Sequence, residues 1–164
     1  MQFCMKSNTM TLTFSTLTIL LPAAIMLHVT EEFLFPGGFI AWYNQLVPPK
    51  SNKPKDPGYL VWINTLMIGV CVLSVYFGVN IHGVSIWYSV AAIAAINASF
   101  HIWGVIKLKK YSPGVITGTL LYIPLFIIGS IQLVASEHLS LAKALIILCA
   151  AIGYHIFSVI RQGN

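Results

Sequence analysis

The stretch MTLTFSTLTILLPAAIMLHVTEEFLF, residues 10–35, decides the fold. It holds no lysine or arginine and exceeds the about 20 apolar residues that cross a bilayer as a helix, yet it carries His28, Glu31 and Glu32 toward its end. Ionisable groups at membrane depth are costly and mark a site by default. At about 100° per residue, His28 stands at 0°, Glu31 at about 300° and Glu32 at about 40°, so the three share one arc of about 100°. With no cationic side chain in the same helix, two adjacent carboxylates have to be neutralised by protons, by imidazolium or by a bound cation. A cation does this most completely. The stretch continues past the small pair Ala23 and Ala24, so it reads as a membrane helix and not as a cleaved leader.

Four further apolar runs follow, at about residues 59–79, 84–106, 114–135 and 141–160. Hydrophobic residues make up 57% of the 164 and charged ones 8%, against roughly 25% charged in a soluble domain. A soluble globular protein is excluded. The runs lack period-2 alternation, and a membrane barrel needs at least about eight strands. The expected fold is therefore all-α, a single transmembrane domain over residues 1–164 with about five membrane helices.

The lysines orient it. Lys50, Lys53 and Lys55 follow the first helix, Lys107, Lys109 and Lys110 the third, and Arg161 the fifth, whereas Lys6 and Lys143 fall on the other face. The positive-inside rule then puts the N-terminus outside and the C-terminus in the cytoplasm. The net charge of +5 is a membrane-flank pattern, so no nucleic-acid partner is expected. Cys4, Cys71 and Cys149 are odd in number and show no metal or redox spacing. In FPGGFIAWYNQLVPP, residues 35–49, Pro36, Gly37 and Gly38 end the first helix. Trp42 and Tyr43 suit the headgroup layer, so this reads as an interfacial segment. PPKSNKPKDPG, residues 48–58, is a solvated connector.

Depth gathers the remaining polar residues. Asn97 and His101 are an i, i+4 pair on one face of the third helix, opposite Ala91, Ala92, Ala94, Ala95 and Ala98, which permit close packing. His28, His101 and His155 each lie about 9 to 10 Å inside the cytoplasmic helix end at 1.5 Å per residue, with Asn64 near the same layer. His82 and His138 sit at outer loops. Asp56 and Glu137 belong to loops as well.

HVTEE (His28 to Glu32), NASFH (Asn97 to His101) and YSPG (Tyr111 to Gly114) occur in that order, and together they resemble the three signature motifs of the HXXEE family of small bacterial membrane proteins. The resemblance implies a cell-membrane location and a site at His28, Glu31, Glu32, Asn97, His101 and the YSPG turn. It names no reaction. His155 lies outside those motifs and is a candidate on depth alone.

Imidazole and carboxylate suit zinc, iron or manganese. The expected first ligands are His28, Glu31, Glu32 and His101, joined by His155, with one ion or with two bridged by Glu31 and Glu32. Asn97 and Asn64 would support the ligands from behind. In a hydrolase, whichever glutamate is not a ligand would be the general base, and Tyr111 would hydrogen-bond the reacting group. An oxidase would use iron. Ser112 at the N-cap and Pro113 at the first helical position would start the fourth helix. The N–H groups there, with Gly114, Ser112, Lys107, Lys109 and Lys110, would hold an anionic headgroup. The expected function is a metal-dependent membrane enzyme acting on an apolar or lipid-like substrate at the cytoplasmic leaflet. The alternatives are a proton-coupled carrier, with a homodimer supplying symmetry, and a non-catalytic accessory subunit.

Overall fold

The structure is a computed structural model that describes residues 13–49 and 57–163. Cys4, Lys6, Lys50, Lys53, Lys55 and Asp56 lie outside the described residues. Among the described residues every regular element is helical: α1 (Phe14–Phe33), α2 (Phe39–Leu46), α3 (Pro57–Phe77), α4 (Ile81–Leu108), α5 (Val115–Thr117), a π-helical turn (Gly118–Tyr122), α6 (Ile123–Ala135) and α7 (Leu141–Gly163). α1, α3, α4, α7 and the continuous Val115–Ala135 span are the five helices long and apolar enough to cross a membrane. Local chemistry sets their ends. Thr13 Oγ1 accepts the Thr16 N–H to cap α1, and Asn80 Oδ1 accepts from His82 and Gly83 to cap α4.

The fourth span begins differently from the expectation. Gly114, at φ 99°, occupies the cap position, and the buried Ser112 hydroxyl turns to His101 instead of capping the helix. Glycine is required there because an L side chain resists that left-handed backbone. The π turn closes where Ile123 N–H reaches back to Gly118 O. The next residue, Pro124, has no N–H to continue the regular ladder.

α4 is the centre of the bundle, with α1, α2, α3, the fourth span and α7 arranged around it. Its alanine face does what small residues do in membranes and lets a neighbour approach: a Cβ on Gly118 would stand 3.1 Å from that of Ala98. Lower down the same contact, the fully buried Trp87 donates its Nε1–H to Leu17 O at 2.9 Å and covers Gly129, where a Cβ would fall 2.1 Å from the ring. α1, α4 and the fourth span are locked together by these fits.

α2 does not expose Trp42 and Tyr43. Phe39, Trp42, Tyr43 and Leu46 are all buried, packed on Phe100 and Leu108 of α4. The reason is Gly104, whose missing side chain leaves the space that the Trp42 indole fills. Trp42 and Tyr43 therefore roof the end of α4 where a headgroup contact was expected.

Candidate metal centre

His28 is placed by the face of α1 that meets α4, Glu32 one turn further on, and His101 by the facing surface of α4. All three are buried, with exposures of 0%, 4% and 0%. Glu32 Oε1 lies 3.3 Å from His28 Nε2 and 3.2 Å from His101 Nε2. One ligand atom from each of the three residues falls within 4.8 Å of the others. Asn97 meets them from the front and not from behind as expected, its Nδ2 standing 3.1 Å from His28 Nε2 and 3.4 Å from His101 Nε2, the atoms that face Glu32.

The two neighbouring glutamates separate. Glu31 turns to the start of the fourth span and accepts four hydrogen bonds: from Tyr111 OH at 2.5 Å, Ile116 N–H at 3.1 Å, Thr117 N–H at 2.7 Å and the Thr117 hydroxyl at 2.5 Å. That engagement removes Glu31 from the Glu32 cluster, so the expected bridge between two ions by paired glutamates is not formed. It also fills the anion position at the helix start. The N–H groups expected to take a headgroup already hold a carboxylate of the chain.

Through Thr117, Glu31 still governs a cluster histidine. The single Thr117 hydroxyl proton goes to Glu31 Oε2, so toward His28 Nδ1, 3.0 Å away, the oxygen acts as acceptor. With its proton at Nδ1, neutral His28 turns the Nε2 lone pair to the Asn97 amide, whereas the contact with Glu32 Oε1 needs a proton or a cation between the two atoms. His101 Nδ1 is paired with Ser112 Oγ at 2.8 Å, where either atom can donate. Fixing Nδ1 from behind so that Nε2 faces the centre is how metal-binding imidazoles are oriented. Ligands about 2.0–2.1 Å from a tetrahedral ion stand about 3.3 Å apart; Glu32 Oε1 has that spacing from both imidazoles, and all three ligand atoms lie within 4.8 Å of one another. The group could hold a metal ion.

Backbone and rings close the site. At Gly114 a Cβ would come within 2.8 Å of both His28 Cε1 and His101 Cε1, so this glycine is a wall of the cluster and not a headgroup contact. Tyr122, in the π turn, packs 4.6 Å from the His28 ring, and Trp42 stacks on His101 at 5.4 Å. Thr117 and Tyr122 escape the sequence reading because nothing in the residues around 117 and 122 signals a partner on α1. Tyr111 is partly exposed in the loop, and burial together with its hydrogen bond to Glu31 raises its pKa above the usual phenol value.

The other expected residues lie apart. His155 is not in the cluster. It lines a neighbouring cavity with Glu32 and Asn97 and packs its ring against Phe100. Asn64 lines the same cavity and donates to Leu60 O at 2.9 Å, away from either ligand histidine. Lys107 rests over the Trp103 ring, Lys110 donates to Gln45 Oε1, and Lys109 ends α4 with a positive φ. Cys71 is buried and Cys149 exposed, both as free thiols.

Five helices of membrane length around a buried pair of histidines and a glutamate define a multi-pass helical bundle with a candidate metal centre. A family model described as a protein of unknown function with HXXEE motif matches residues 19–129, and the chain belongs to that family. Neither the curated proteins nor the solved structures yield a match.

Proposed function

We propose that this chain is a membrane-embedded metalloenzyme of hydrolase or oxidase type, with one divalent transition-metal ion held by His28 Nε2, His101 Nε2 and Glu32. The observation that carries the proposal is the convergence of two buried imidazole nitrogens on one carboxylate oxygen, at 3.3 and 3.2 Å, with the three ligand atoms within 4.8 Å of one another. Two histidines and a carboxylate with an open position is the donor set of catalytic zinc sites and of non-haem iron oxygenases. When bound, the ion would supply Lewis acidity or, if redox-active, a route for electrons from the substrate to an oxidant such as dioxygen. The chain's own residues have the other tasks. Thr117 and Ser112 keep the imidazoles in place from behind, Glu31 fixes the tautomer of His28, and Asn97 lies at the side that faces the cavity. Glu31, held by four donors, is unsuited to act as a mobile general base. By the lysine distribution, the site opens in the cytoplasmic leaflet to an apolar or lipid-like substrate.

Metal analysis of protein purified without chelator tests this reading. A stoichiometric transition metal is expected, lost in Glu32→Ala and His101→Ala. Chelator should lower the Tm of the parent protein and leave those variants unmoved, since a ligand that binds only the folded state stabilises it. Metal-free protein with one melting curve in both conditions would overturn it. The same two ion pairs would then support a proton-coupled carrier, in which Glu32 and the imidazoles share a proton.

A further inference from the structure

The cavity beside the cluster lies in a cleft. α3 and α7 both rest on α4 with little direct packing between them, and a space of about 80 Å³ remains where they diverge. Glu32 and Asn97 form its polar end. Leu60 and Met67 of α3 supply apolar wall, Asn64 adds a polar group on the same helix, and His155 faces in from α7. His155 Nε2 is buried with no hydrogen-bond partner. Such an atom costs free energy unless something meets it.

The charge of the lining narrows what that something is. Among the described lining residues there is no lysine or arginine, and Glu32 is the one carboxylate. A phosphate or sulfate group would have no side-chain cation to balance it. The walls favour hydrocarbon, while the inner end offers an imidazole and an amide.

We infer that this cleft is a binding site for the head of an uncharged amphiphile: its neutral hydrogen-bonding end, a hydroxyl, ester or amide, meets His155 Nε2 and Asn97 beside Glu32. The space of about 80 Å³ takes that end and its first methylenes, and the rest of the single hydrocarbon chain runs out between α3 and α7. The inference rests on the metalloenzyme reading only for the reaction, because the cleft binds its ligand through residues that hold no metal. Access is sideways from the bilayer. An apolar chain reaches the inner end without first crossing into water.

The full chain, purified in detergent and prepared both chelated and zinc-loaded, is photolabelled with a diazirine-bearing long-chain alcohol. Labelling is expected to concentrate in peptides carrying residues 60–67 and 154–159 in both preparations, and excess dodecanol should suppress it about tenfold more effectively than dodecyl phosphate. His155→Leu should weaken dodecanol competition about fivefold, the loss of one hydrogen bond, while His155→Gln keeps it. Met67→Trp fills the cleft without changing its polarity and should block labelling with helix content unchanged. Labelling spread evenly over the lipid-facing surfaces of α1, α3 and α7, or equal competition by the phosphate, overturns the inference. Failure of the metal reading looks different: the protein then binds no zinc, and the labelling pattern stands.

Discussion

On one side of α4, the fourth span fits against it at Ala98, Gly118, Trp87 and Gly129, with no room for a methyl group at Gly129 and a tight 3.1 Å fit at Gly118, and α1 joins through Leu17. On the other side, α3 and α7 lie against the same helix and leave a cavity between them. Buried residues make up 39% of the α1 span and 28% of the fourth span, but 11% of α3 and of α7. The two sides divide the labour. The tight side fixes the imidazoles through Thr117 and Ser112, whereas the loose side gives the polar atoms of Glu32 and Asn97 something to face. A site that must hold donor atoms to within tenths of an ångström and also admit a ligand needs both kinds of packing.

The largest expected effect lies on the tight side. Gly129→Leu drives a side chain into the Trp87 ring and should cost about 3 kcal/mol or more, seen as loss of folded protein or a steep fall in Tm. Gly114→Ala comes next, at about 2 kcal/mol, because it adds a strained positive φ to close contacts with both imidazoles. It should also lower metal occupancy, measured on the folded fraction. Thr117→Val removes the hydroxyl between Glu31 and His28 and should weaken metal affinity by about 10- to 100-fold with a smaller change in Tm. Thr117→Ser should restore it. Smallest is Asn64→Ala on the loose side, within about 0.5–1 kcal/mol, since the residue is half-buried and its amide donates within its own helix, to Leu60 O. If Asn64→Ala destabilised the protein as much as Gly129→Leu, the contrast between the two sides would fail.

The five spans were legible because hydropathy and length alone select membrane helices, and nothing in tertiary packing competes with that signal. The cluster was half legible. Helical spacing puts His28 and Glu32 on one face and Asn97 beside His101, and depth puts both helices at one level. Depth cannot say where a helix stands around the bundle, however, and His155 shares the level while α7 sits on the cleft side of α4. Glu31 was misdirected for a related reason. Its angle on α1 lies within the same arc as that of Glu32, but the start of the fourth span offers it four donors, a match between residues 31 and 117 that no local pattern encodes. Ser112 looked like a cap because Ser-Pro is an ordinary helix start, and its hydroxyl was instead taken by an imidazole eleven positions earlier in the chain.

The π turn at Gly118–Tyr122 acts as a phase shifter. It holds one residue more than a regular turn, so everything beyond it is rotated by about 100° relative to an uninterrupted α-helix. Only with that offset can one span present Thr117 to the His28 nitrogen, Tyr122 to the His28 ring and Gly129 to Trp87. Deleting a single residue there would leave the span apolar and long enough to cross, yet turn its far half away from α4. Selection that keeps the imidazole pair in register has to keep the extra residue as well.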